Sequence, residues 1–230
     1  RCGAMPDTAI RTVLFDLDGT LLDTAPDLAA ALNTVLEENR QPVMPYESIR
    51  PVVSHGGMAL IKLGFGLEQD DPRFDPLRQR LLSVYRDNIS QQTTLFPGME
   101  DLLQALEQRG MQWGVVTNKP GWLTDPLLED LQLYTRAACV VSGDTLSERK
   151  PHPAPLLHAC ALTGTLPQHC LYVGDAQRDV EAGKNAGMHT MVALFGYFTK
   201  EDQPHTWDAD HTIQTPAEIL GWLDDRQAAD

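Results

Sequence analysis

The chain has 230 residues, 42% of them hydrophobic and 22% charged, with a net charge of −14. That is the composition of an ordinary folded chain, long enough for one large domain or for a core with a smaller companion. A surface this acidic argues against nucleic acid and anionic membranes as partners, and no apolar run approaches the ~20 residues of a membrane span.

No secretory apolar segment follows the N-terminus, and Cys2, Cys139, Cys160 and Cys170 lack metal-ligand spacing. Both observations predict a cytoplasmic chain with buried free thiols. Met5 reads as a start, with residues 1–4 outside the fold.

Val13-Leu14-Phe15 is a continuous apolar run of β-formers, as expected for a strand buried on both faces. Asp16-Leu17-Asp18-Gly19-Thr20-Leu21-Leu22-Asp23 follows. Asp16 and Asp18 thus arrive where an open α/β sheet places its ligand crevice, and Gly19 permits a tight turn with close backbone approach. Two aspartates this close repel unless a cation or a proton lies between them. The pair suits a hard metal such as Mg²⁺, or a nucleophile beside a general acid/base.

A helical stretch comes next. Thr24-Ala25-Pro26-Asp27 reads as a capped helix start, and Leu28, Leu32, Val35 and Leu36 form an apolar stripe. Pro42 and Pro45 break the pattern. A second helical region begins near Tyr46, interrupted or ended by Gly56, Gly57, Gly64 and Gly66. A longer helix is predicted over residues 72–91, with Leu77, Leu81, Tyr85 and Ile89 on one face. The helical insert therefore spans residues 24–95.

From Phe96 the pattern alternates between helix and strand, the signature of a parallel sheet. Helices are expected around 99–110, 122–131, 153–163, 177–186 and 217–225. Strands are expected at 112–117, 138–141, up to Val173, at 190–194, and at an edge near 210–213. Strand order is not legible from this pattern.

Chemistry-bearing residues recur at the strand ends. Thr117 and Asn118 close the second apolar run with a hydroxyl and an amide that can donate to phosphate oxygens. Lys150, before Pro151, puts a cation near the third strand. Asp175 closes the run Leu171-Tyr172-Val173-Gly174, and Asp179 lies one helical turn beyond. Each has a plainer reading alone: a Thr-Asn pair is commonly a turn, a lysine a solvated charge, and Asp179 a partner of the helix dipole.

These four pieces, in this order, resemble the haloacid dehalogenase superfamily of Mg²⁺-dependent phosphotransferases, in its phosphoglycolate-phosphatase-like branch. The resemblance runs from Val13 to about Leu223. It implies an α/β fold, a doubly wound parallel sheet of order 5-4-1-2-3, with residues 5–23 and 96–230 as the catalytic core and 24–95 as an α-helical cap. It implies that Asp16 is the nucleophile forming an aspartyl-phosphate and Asp18 the general acid, then base. Thr117, Asn118 and Lys150 would hold the phosphoryl group. Asp16, Asp175 and the Asp18 carbonyl would ligate Mg²⁺, with Asp179 orienting a metal-bound water or Lys150. The polar, glycine-rich break Ser54-His55-Gly56-Gly57 would meet the substrate, a small phosphorylated metabolite, and Arg50 would bind a carboxylate or sugar oxygen.

The segments Leu95 to Met99, Trp113 to Pro120, and Gly196-Tyr197 with Glu201-Asp202, Pro204, Trp207 and Ala209-Asp210 resemble a narrower subgroup, bacterial N-acetylmuramic acid 6-phosphate phosphatases of peptidoglycan recycling. His55 departs from that subgroup, where glycine is expected. A sugar phosphomutase would share the core residues. A phosphoryl-aspartate signalling module would lack the insert and need no Asp18. A dinucleotide site is disfavoured, since no G-x-G-x-x-G follows the first strand. Oligomeric state is not legible.

Overall fold

The structure, a computed structural model, describes residues 9–228; Cys2 and Met5 lie outside the described residues. The first apolar run is strand β1 (Thr12–Phe15), buried at every position. The chain then forms the short β2 (Leu22–Asp23) and leaves the sheet through α1 (Ala25–Glu38), α2 (Tyr46–Ile49), a 3₁₀ segment Arg50–His55, α3 (Gly56–Phe65) and α4 (Phe74–Asp87). It returns through β3 (Thr94–Leu95), which pairs antiparallel with β2 so that Asp23 faces Thr94. Entry to and exit from the helical stretch are therefore stitched together. Buried Asp27 adds to this by accepting hydrogen bonds from the backbone N–H groups of Gln92 and Thr93 and from the Thr93 hydroxyl.

The remainder alternates as predicted: α5 (Met99–Gln108), β4 (Gln112–Val116), α6 (Gly121–Asp130), β5 (Val140–Val141), α7 (Ala154–Thr163), β6 (Cys170–Gly174), α8 (Gln177–Ala186), β7 (His189–Ala193), β8 (His211–Ile213) and α9 (Ala217–Ala228). The six-stranded sheet has the order β5-β4-β1-β6-β7-β8, parallel throughout. That is the expected 5-4-1-2-3 arrangement with β1 central, extended by β8 at the edge. Strand β1 accordingly reads as an uninterrupted apolar run because both its neighbours and both its faces are protein.

The α1 stripe Leu28, Leu32, Val35 and Leu36 is buried in one cluster with Leu60, Ile61, Leu81 and Tyr85 of α3 and α4. Three local readings need correction. Thr24 does not cap α1; its hydroxyl donates to Asp18 Oδ1 at 2.6 Å. The helix expected to reach residue 91 ends at Asp87, where the Asn88 side-chain amide donates to the Val84 carbonyl and closes the last turn. Gly56 and Gly57 begin α3 rather than interrupting it. Cys139, Cys160 and Cys170 are buried and free, as expected.

Candidate active site

The carboxyl ends of three adjacent parallel strands, β1, β4 and β6, deliver Asp16, Thr117 and Asp175 to one place. Lys150 reaches it from the loop between β5 and α7. Its fully enclosed Nζ donates to Asp16 Oδ1 at 3.0 Å, Asp179 Oδ1 at 2.8 Å, the Tyr172 hydroxyl at 2.7 Å and the Val116 carbonyl at 3.1 Å. Asn118 fixes the lysine backbone from both sides, accepting from Lys150 N at 3.0 Å and donating to Lys150 O at 2.9 Å. The Asn118 side chain is thereby tied to Lys150, a task its strand-end position did not announce. The Thr117 hydroxyl accepts from Lys119 N at 3.0 Å.

Asp16, Asp175 and Asp179 offer carboxylate oxygens within 4.8 Å of one another, all buried. Their commitments differ. Asp179 Oδ1 is taken by Lys150, and Oδ2 accepts the backbone N–H groups of Asp175 and Ala176, so this residue caps α8 and holds the lysine together. Asp175 Oδ2 accepts from Ser54 Oγ at 2.6 Å and Tyr197 N at 3.0 Å, whereas its buried Oδ1 has no hydrogen-bond partner among the described residues. Ser54 Oγ also lies 3.3 Å from the Asp18 carbonyl, so that carbonyl and the Asp175 carboxylate converge. The backbone presses in closely here. A Cβ on Gly19, whose φ is +81°, would sit 2.1 Å from Asp175 Oδ2, and one on Gly196 would sit 2.5 Å from the Gly19 carbonyl. An orphaned carboxylate oxygen among clustered acids and a converging carbonyl fits a divalent cation bound by oxygen ligands.

Electrostatics support the same division of labour. Burial, and then the charge of Asp179, push the Asp16 carboxyl up to about 6 against the opposing pull of Lys150. Burial drives Asp175 well above the carboxylate range, with Asp16 and Asp179 adding to it. Burial also opposes ionisation of Asp179, but Lys150 and Arg178 outweigh it and hold this group low.

Asp18 is served by a separate lysine. Lys119 Nζ donates to Asp18 Oδ1 at 2.8 Å and to the Tyr85 hydroxyl at 2.8 Å, and Thr24 donates to the same Asp18 oxygen. Burial alone would raise Asp18; Lys119 reverses this and holds it below its ordinary value. Burial pushes the Tyr85 hydroxyl up to about 12, so it stays protonated. Reading the sequence passes over Lys119, because nothing in a Thr-Asn-Lys-Pro turn distinguishes a buried lysine from a surface one. Tyr85 is read there as core, since its spacing matches the apolar face of α4.

A cavity of about 270 Å³ opens over this site. Asp16, Asp18, Thr117, Asn118 and Lys119 line it from the sheet side, and Ser54, His55, Gly56 and Gly57 from the helical side, with Arg78, Leu82 and Tyr85 of α4. Arg50, expected to reach substrate, does not line it. Its guanidinium donates to the Phe195 and Gly196 carbonyls and lies 4.8 Å above the Tyr197 ring. His55 Nε2 is 3.3 Å from Asp202 Oδ2. Arg178 donates to the Ser54 carbonyl, and Tyr197 donates its hydroxyl to Asp23 while accepting from Ala25 N. The segment from Arg50 to His55 is thus fastened to the core loop 195–202 and to α8.

The haloacid dehalogenase-like hydrolase family model matches residues 13–193. A phosphoglycolate phosphatase of Xanthomonas campestris is 44% identical over 209 residues, covering 91% of this chain and 94% of that protein. An N-acetylmuramic acid 6-phosphate phosphatase of Pseudomonas aeruginosa is 39% identical over 215 residues, covering 94% and 95%. Among solved structures, a predicted phosphoglycolate phosphatase of Haemophilus somnus superposes with a TM-score of 0.82 at 28% identity, over 93% of this chain and 97% of that one. The chain belongs to the haloacid dehalogenase-like hydrolase family. Within it, the chain is a phosphatase.

Proposed function

We propose that the chain hydrolyses a small phosphorylated metabolite in the cytoplasm, through an aspartyl-phosphate at Asp16 and with Mg²⁺ as the divalent cation. The observation that carries this reading is the arrangement at Asp16. Lys150 and the Leu17 N–H both donate to Oδ1, which leaves Oδ2 without a partner among the described residues, in a cavity it shares with Asp18. Asp16 Oδ2 attacks phosphorus, a P–O bond to Asp16 forms, and the bond to the leaving oxygen breaks. The negative charge of an arriving phosphoryl group favours the protonated form of Asp18, which gives its proton to that oxygen and, as the carboxylate, then takes one from the water that attacks the phosphoaspartate and frees Asp16. Thr24 and Lys119 hold Asp18 in place for both transfers. Lys150 neutralises charge on the transferring group and keeps Asp16 oriented.

Mg²⁺ would be held by Asp16, Asp175 and the Asp18 carbonyl, and bound there it supplies charge neutralisation to the phosphoryl oxygens. Asp179, with both oxygens committed, acts through Lys150. Residues 24–95 form a helical cap over the core, 5–23 and 96–230, and the pairing of β2 with β3 marks where the two join. Closure of the cap, fastened through Ser54, His55 and Arg50, excludes water from the phosphoaspartate. The substrates named for the relatives, phosphoglycolate and N-acetylmuramate 6-phosphate, are the two candidates.

A panel of phosphate monoesters assayed with Mg²⁺, with a chelator and with Ca²⁺ tests the reading. Turnover requiring Mg²⁺ and suppressed by Ca²⁺, which accepts more oxygen ligands in looser geometry, is expected. Full turnover in chelator would overturn the metal assignment, and no turnover of any ester would overturn the function.

A further inference from the structure

The cavity is electrically unlike the rest of the molecule. In a chain of net charge −14, its lining carries two carboxylates, Asp16 and Asp18, against four cations, Arg78, Lys119, Arg149 and Arg178. Two of these are engaged by protein: Lys119 by Asp18 and Tyr85, Arg178 by the Ser54 carbonyl. Arg149 is exposed. Arg78 differs from all three. It is half-buried on α4, and among the described residues its enclosed Nε has no hydrogen-bond partner and its guanidinium makes no ion pair, even with Asp75 one turn earlier. An enclosed guanidinium nitrogen left without an acceptor is costly unless a ligand supplies one.

Its placement says where that ligand group lies. Arg78, Leu82 and Tyr85 share one face of α4 and all line the cavity. Tyr85 marks the chemical end, since its hydroxyl meets Lys119 beside Asp18. Arg78 is seven residues away, two helical turns or about 10 Å along the axis. Leu82 puts an apolar surface between them.

We infer that Arg78 is a specificity residue that binds a carboxylate on the leaving group of the substrate, remote from the phosphoryl group. This rests on the phosphatase reading and deepens it. The favoured class is a phosphate ester with its acid group several bonds away, on a body with an apolar face. Of the two candidates, N-acetylmuramate 6-phosphate fits: its phosphate on C6 and its lactyl carboxylate on the C3 oxygen are separated by several bonds of a rigid sugar ring. Phosphoglycolate, with one carbon between carboxylate and ester oxygen, keeps its carboxylate beside the phosphoryl group, whereas Arg78 stands two turns of α4 from Tyr85 at the chemical end. A planar guanidinium is suited to this task because it can bind a carboxylate through two parallel hydrogen bonds.

The test compares N-acetylmuramate 6-phosphate with N-acetylglucosamine 6-phosphate, which lacks only the lactyl group. The wild type should prefer the acid, and in Arg78→Met the ratio of the two kcat/KM values should fall by about 10- to 100-fold. Arg78→Lys, which keeps the charge and the helix, should retain part of the preference. A wild type with no preference, or an Arg78→Met protein whose ratio stays within about threefold of wild type, overturns the inference while leaving the phosphatase reading intact. Calorimetric binding of N-acetylmuramate itself, against N-acetylglucosamine, reads the same contact without turnover. Selective binding of the acid that is lost in Arg78→Met supports Arg78 even if no ester is hydrolysed. Binding that is absent from the wild type or unchanged in the variant counts against it.

Discussion

On the sheet side of the cavity, charged groups are held by other parts of the core. Lys150 is spanned by Asp16, Asp179, Tyr172 and the Val116 carbonyl, and Asp18 is held by Lys119 and Thr24. On the helical side Ser54, His55 and Tyr85 are tied to the core, but Gly56, Gly57 and Leu82 offer no charge and Arg78 has no hydrogen-bond or ion-pair partner among the described residues. The first wall is preorganised: its dipoles and charges are fixed before any ligand arrives, which is what stabilising a phosphoryl transition state requires. The second wall is left incomplete, and an incomplete wall can discriminate between ligands. Chemistry should therefore be lost by changes on the sheet side, and selectivity by changes on the helical side.

The largest effect should come from Asp16→Asn. The amide cannot act as a nucleophile, and kcat on every ester should fall by at least about 10⁴-fold. Circular dichroism should remain that of the wild type, because the amide still fits between Lys150 and Leu17. Retention of turnover within about tenfold, with deamidation excluded by mass spectrometry, would break the comparison at its firmest point.

Lys119→Met should cost less, about 10- to 100-fold in kcat, and should leave a signature in pH. Burial opposes ionisation of Asp18 and Lys119 overrides it. With the lysine gone, the Asp18 carboxyl moves up and keeps its proton to higher pH, so the basic limb of the kcat/KM profile, which reports loss of the acid's proton, shifts to higher pH. Lys119→Arg should restore part of both. A profile that does not move would make Lys119 a packing residue.

Smaller still, and on stability rather than rate, is Asp175→Asn. The folded-state pKa of Asp175 is raised, so its contribution to stability is full below the unfolded value and is lost as pH rises through the folded one. Asparagine does not ionise. The metal-free variant should therefore melt above the wild type, by at least about 2 °C near pH 8 and by less near pH 5. Saturating Mg²⁺ should reverse the order, because only the wild type retains the metal carboxylate. A variant less stable than the metal-free wild type at both values would contradict the cost of ionising Asp175 beside Asp16 and Asp179.

The same contrast explains what the sequence made legible. Strand ends in a parallel sheet are announced by an apolar run that stops, so Asp16, Thr117 and Asp175 stand out, and the helix signals after them place Asp179. The order β5-β4-β1-β6-β7 is not legible from periodicity and comes only from the family resemblance, while β8 is read from the sequence as an edge strand without a place in that order. Lys119 and Arg78 were not legible because burial of a lysine and the orientation of one arginine on an amphipathic helix depend on what packs opposite. The partners of Arg50 are illegible for the same reason. A cation on a segment that faces the core is equally able to meet a substrate or a backbone carbonyl, and here the Phe195 and Gly196 carbonyls come first.

The central claim, that Asp16 carries the phosphoryl group, is open to direct observation in Asp18→Asn. An aryl phosphate such as 4-nitrophenyl phosphate has a leaving group that needs little help from an acid, so phosphorylation should proceed while hydrolysis, deprived of its base, stalls. Intact-mass spectrometry after mixing with this ester and Mg²⁺ should show one added phosphoryl group, and borohydride reduction followed by peptide mapping should place it on Asp16. A protein that stays unmodified while 4-nitrophenol is released at the wild-type rate, or a phosphoryl group mapped to any other residue, would contradict the account.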